Sequence, residues 1–86
     1  MHTLKELRRE VDEVDEQIIR FLADRVKVCE AIGAAKKAKG LPVRDIAREK
    51  DVYQRVREQA ANLGLNPAEV EAVYREIVNM CCSVQE

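Results

Sequence analysis

The sequence predicts an all-α fold of three helices, one very long and two shorter. Three observations carry this prediction. Apolar residues recur three and four positions apart in every stretch of the chain. No stretch has the Val/Ile/Thr alternation of a strand. Helix breakers are sparse and form only two clusters, Gly40 with Pro42 and Gly64 with Pro67, which cut the chain into three.

The first helix is expected from about Thr3 to Lys39. Its apolar seam is Leu4, Leu7, Val11, Val14, Ile18 and Phe21, then Val28, Ile32 and Ala35. The steps of three and four make a heptad-like rhythm. One position in that rhythm is charged, because the register between Phe21 and Val28 lands on Arg25. Gly33 weakens the helix by about 1 kcal/mol relative to alanine, and Ala34 and Ala35 carry it onward. The second helix is expected from about Asp45 to Leu63, with a stripe of Val52, Val56, Ala60 and Leu63. The same stripe extended backwards meets Glu49 and Asp45. The third opens with Asn66-Pro67-Ala68-Glu69: an N-cap, a proline in the first helical position and an acid in the first turn. Its stripe is Val70, Val73, Tyr74, Ile77, Cys81 and Val84.

Composition narrows the function. Eighty-six residues suit one domain, residues 1–86. Hydrophobic residues at 47% and charged residues at 36% fit a folded, soluble helical protein rather than a disordered tail. The formal net charge of -1 lacks the basic excess of a nucleic-acid coat, and the absence of tryptophan with 3% aromatics leaves few base-stacking platforms. Apolar runs are far shorter than the roughly 20 residues needed to span a bilayer. No leader peptide is read at the N-terminus. Three cysteines without a spaced framework, Cys29, Cys81 and Cys82, fit reduced thiols and a cytoplasmic location. Cys81 and Cys82 are adjacent and point to different helix faces, and the single histidine is His2. Neither pattern has metal-ligand spacing, so no metal and no cofactor are expected.

Length then implies a partner. A helix of about 36 residues is about 54 Å long. A compact domain of this size has a radius of gyration near 12 Å, so a diameter of roughly 30 Å. The first helix overhangs any globule the chain could form alone, yet its seam is apolar for most of its length. Two helices of about 28 Å each cannot cover it and stay compact. A second copy of the chain covers it most simply, hence an intimate homodimer.

The informative charges interrupt apolar stripes. Lys36 follows Arg25 by eleven residues, so at about 100° per residue it returns to nearly the same face, about 16 Å further along. Two long side chains leaning inward could grip one small anion. Arg8 precedes Arg25 by seventeen residues, about 25 Å along the same helix, so it reaches that site only from the partner subunit. Asp45 and Glu49 are one turn apart with Arg48 between them, and Cys81 and Gln85 are one turn apart on the third helix. Such a set suits a dianionic organic acid with a hydroxyl: arginine grips carboxylates bidentately, and a carboxylate accepts a hydroxyl proton. Each residue also has a plain structural role open to it. Arg25 can pair with Glu49, Lys36 can snorkel, Asp45 can cap its helix and Glu49 can sit in its first turn. Cys81 can fill a core, and Gln85, next to last, can fray.

Several segments together resemble the all-helical class of chorismate mutase. They are Leu4-x-x-Leu7-Arg8-x-x-Val11-Asp12-x-Val14-Asp15, Leu22-Ala23-Asp24-Arg25, Ile32-Gly33-x-x-Lys36 and Pro42-Val43-Arg44-Asp45-x-x-Arg48-Glu49. They lie in order across nearly the whole chain and end in Gln85. The resemblance implies an intertwined homodimer with two active sites, each built from all three helices of one chain plus the start of the partner's first helix. It implies that Arg8 of the partner and Arg25 bind the carboxylates of chorismate. Lys36 and Gln85 donate to its ether oxygen, and Asp45 and Glu49 engage its ring hydroxyl, with Arg48 close to that pair. Better-known members often carry serine where this chain has Cys81. A thiol is a weak donor, so a contact from this position to the substrate is weakened or passes to a backbone amide.

The activity implied is the Claisen rearrangement of chorismate to prephenate in phenylalanine and tyrosine biosynthesis. It needs no nucleophile, metal or cofactor. Two other readings fit parts of the sequence. An isochorismate-pyruvate lyase would keep a similar cationic pocket. A non-catalytic helical dimerisation module explains the seam but not the inward charges. Neither a nucleic acid nor a membrane is an expected partner.

Overall fold

A computed structural model describes residues 2–86. Three helices make up the fold: α1 (Leu4–Ala38), α2 (Ile46–Asn62) and α3 (Pro67–Gln85). Their ends follow from local chemistry. Thr3 Oγ1 accepts from the Glu6 amide at 3.1 Å, Asp45 Oδ1 from the Arg48 amide at 3.1 Å, and Asn66 Oδ1 from the Ala68 amide at 2.9 Å. Each side chain satisfies an amide that the helix leaves free. Two helices stop by the same device. Gly40 and Gly64 take φ of +68° and +75°, a left-handed turn that side chains resist. The following amides close back across it: Leu41 donates to the Lys36 carbonyl at 2.9 Å and Leu65 to the Ala60 carbonyl at 2.8 Å.

α3 lies between the other two helices and packs on both, whereas α1 and α2 do not pack on each other. This layering explains why Cys81 and Cys82 are both buried although adjacent. Cys82 joins Val52, Val56 and Val78 in the α2–α3 core. Cys81 faces α1, where it meets Arg25. Burying each of those valines contributes on the order of 1.5 kcal/mol or more.

The molecule is long: 57 × 23 × 15 Å, with a radius of gyration of 16.1 Å. The N-terminal half of α1 stands clear of the rest. Leu4, Leu7, Val11, Val14, Ile18 and Phe21 are all exposed, Phe21 at 71%. This apolar stripe runs unbroken along a single face, where monomeric proteins show only small patches.

In the C-terminal half, α1 turns a slightly different face to α3 than the seam suggests. Val28 remains 59% exposed, and Cys29 and Gly33, one residue further round, are buried. The reason is geometric. A 3.5-residue rhythm on a straight 3.6-residue helix drifts by about 20° per heptad. After four heptads the drift is about 80°, nearly the 100° of one residue. By Val28 and Ile32 the seam has therefore turned away from the α3-facing side of α1, although the two still coincide near Arg25. Arg25 and Lys36 are part-buried on the α3-facing side.

Candidate active site

A cavity of about 210 Å³ opens where the three helices converge. Seven of the eight residues singled out in the sequence line it: Arg25, Lys36, Asp45, Arg48, Glu49, Cys81 and Gln85. The eighth, Arg8, does not. It lies on the free part of α1 beside Leu4, Lys5, Arg9 and Asp12. The seventeen-residue separation puts it about 25 Å from Arg25.

α1 supplies the two central cations. The Arg25 guanidinium donates to Cys81 Sγ at 2.7 Å and to Cys29 Sγ at 3.8 Å. Lys36 Nζ donates to the Val43 carbonyl and to Gln85 Oε1, the latter at 2.8 Å. Gln85 Nε2 in turn donates to the Cys81 carbonyl at 3.1 Å, one turn back on α3. One of its two N–H groups is thus engaged, and the second is available. Among the described residues, neither Arg25, Lys36 nor Arg48 forms an ion pair. Their charge is compensated only in part, which favours an anionic guest between them.

On the acidic side, Asp45 caps α2 and Glu49 lies in its first turn, both roles open to them in the sequence, so one Asp45 oxygen is committed to the Arg48 amide. Glu49 pairs with Arg44 at 3.1 Å, not with Arg25. Arg44 also donates to Asn79 Oδ1 and so ties the start of α2 to α3. The second Glu49 oxygen, Oε2, is buried and has no hydrogen-bond partner. A buried acceptor without a donor costs about 1–3 kcal/mol. A ligand hydroxyl placed there would remove that cost.

Two residues that the sequence does not single out touch the lining side chains, Arg44 and Cys29. Chain order alone does not show which arginine of the Pro42–Glu49 motif reaches the acid. Cys29 stands in the sequence only as one of three reduced thiols, yet it lies one turn after Arg25 and faces the same guanidinium. Burial, reinforced by the neighbouring Cys81 thiol, pushes the Cys29 thiol up to about 11 from 9.0; Arg25 opposes this only partly. Between these values an unfolded chain releases the proton that the folded chain keeps, so the contribution is complete below 9.0 and vanishes as pH rises towards 11. Thermal melts across this range should show the wild type losing stability faster than Cys29→Ala. Parallel curves would contradict the assignment.

The cavity thus combines partly compensated cations, Arg25, Lys36 and Arg48, with a buried acceptor, Glu49 Oε2, that has no partner. Comparison with known proteins gives the family. Residues 7–86 match chorismate mutase type II, and the chain belongs to that family. The whole chain aligns at 35% identity with a quarter (25%) of the bifunctional chorismate mutase/prephenate dehydratase of Aquifex aeolicus. A chorismate mutase of Methanocaldococcus jannaschii is 35% identical over 63% of this chain and 54% of its own length. The chain thus spans between a quarter and about half of these relatives. Among solved structures, a conserved hypothetical protein from Pyrococcus furiosus superposes with a TM-score of 0.79 at 34% identity, covering 100% of this chain and 99% of its own. No helix among the described residues is long and apolar enough to cross a membrane.

Proposed function

We propose that the chain is a chorismate mutase that acts as an intertwined homodimer and converts chorismate to prephenate on the route to phenylalanine and tyrosine. The observation that carries this reading is that Arg25, Lys36 and Gln85 line the same cavity as Glu49, whose buried Oε2 has no partner. The exposed stripe from Leu4 to Phe21 supports the dimer, since a second α1 laid along it would bury both. The partner's Arg8 would then arrive from outside and close the slot.

The reaction breaks a carbon–oxygen bond and forms a carbon–carbon bond within one molecule. The protein has two tasks. It holds the flexible side arm in the compact geometry where the reacting carbons meet. It also stabilises the negative charge that grows on the ether oxygen as its bond opens. Arg25 and the partner's Arg8 perform the first by gripping the two carboxylates. Lys36 and the free N–H of Gln85 perform the second. Asp45 and Glu49 accept from the ring hydroxyl, and Arg48 adds positive charge beside them. Cys81 acts through Arg25, which it helps to orient, rather than on the substrate.

Product analysis separates this reading from its rivals. Incubated with chorismate, the protein should form prephenate. Release of pyruvate from isochorismate, without prephenate from chorismate, would make it a lyase. Turnover of neither would leave a helical dimerisation module. Gln85→Glu offers a finer check. A carboxyl donates only when protonated, so this variant should gain activity towards acid pH where the wild type's Gln85 contact is insensitive. Matching pH profiles for the two proteins would remove Gln85 from the reaction.

A further inference from the structure

Gly33 is the one glycine outside the two turns, and its φ is ordinary. Freedom of the backbone does not explain it. Space does: a Cβ at this position would lie 2.8 Å from Gln85 Cγ, 3.0 Å from its Cβ and 3.1 Å from its Cα. All three are closer than carbon atoms approach without one of them moving, and one belongs to the backbone. Gly33 is buried at the point where the last turn of α3 meets α1, three residues before Lys36.

We propose that Gly33 is a positioning residue: by lacking a Cβ it admits the last turn of α3 to the face of α1 and so seats Gln85 against Lys36. The inference rests on the mutase reading for its effect on turnover, but not for the contact itself. Gln85 is the final residue of α3, so a methyl group at position 33 meets a helix end rather than a helix middle. The end gives way before the α2–α3 core does, because that core is centred on Val52, Val56, Val78 and Cys82. Alanine also favours the helical state of α1 over glycine. The fold therefore tolerates Gly33→Ala, whereas the 2.8 Å contact between Lys36 Nζ and Gln85 Oε1 does not.

The test compares wild type, Gly33→Ala, Gln85→Ala and the double variant in the full chain. In proton–nitrogen correlation spectra, the Gln85 side-chain amide is identified by its loss in Gln85→Ala. In Gly33→Ala it should move to the position of a free glutamine while the helical circular dichroism is kept. If chorismate is turned over, Gly33→Ala should lower kcat by about as much as Gln85→Ala, with a smaller effect on KM. The double variant should lose no more than either single one, because the same contact is already gone. An unmoved Gln85 amide, multiplying losses in the double variant, or loss of helical content in Gly33→Ala would each overturn the proposal. A wild type inactive on chorismate would sink the mutase reading alone, since the spectrum still decides the positioning.

Discussion

Lys36→Ala should reduce kcat by about 10²–10³-fold, the usual effect of removing one donor aimed at developing negative charge. The ammonium sits inside a part-buried cavity, held on α1 by its hydrogen bonds to the Val43 carbonyl and Gln85 Oε1. In the proposed mechanism it is therefore already in place before charge develops on the ether oxygen. Water cannot replace it well, because a water molecule would have to reorient as the bond opens. Gln85 alone cannot compensate, since its oxygen faces Lys36 and only one N–H remains to donate. The effect should fall on kcat more than on KM, as the charge is larger in the transition state than in the bound substrate. Turnover by Lys36→Ala near the wild-type rate would defeat this assignment.

The second large effect concerns the arginine that is out of reach. Arg8→Ala and Arg25→Ala should each lower activity by about 10²-fold or more, since each frees one end of a guest whose folding depends on both. Mixed and reassembled, the two inactive variants should recover activity. In each heterodimer one site combines an intact Arg25 with an intact Arg8 from the other chain, and the second site lacks both. Random pairing makes half of the dimers mixed, so about a quarter of wild-type activity should return. A verified heterodimer that stays inactive would refute the shared site.

Much of this was legible in the sequence because helices advertise themselves through period and caps. Thr3, Asp45 and Asn66 mark the starts, and Gly40 and Gly64 the stops, so all three helices fall where the spacing puts them. The cavity was legible through charges set into apolar stripes, which is why Arg25, Lys36 and Glu49 stood out among many solvated ones. The remaining features depend on packing between distant segments. Which arginine meets Glu49 is decided by the turn before α2, which brings Arg44 to it and to Asn79. The shift from Val28 to Cys29 on the inner face of α1 accumulates from a small angular drift that heptad spacing ignores. Gly33 looked like a weak point in a helix. Its use emerges only when the end of α3, fifty-two residues later, is laid against it.

The mass of the active particle tests the central claim most directly. Light scattering on the protein at assay concentration should give twice the 9.8 kDa of the chain, with the Leu4–Phe21 stripe covered and Arg8 delivered to the neighbouring cavity. A 9.8 kDa particle that turned over chorismate would contradict it, because a single chain keeps Arg8 about 25 Å from the site it is meant to complete.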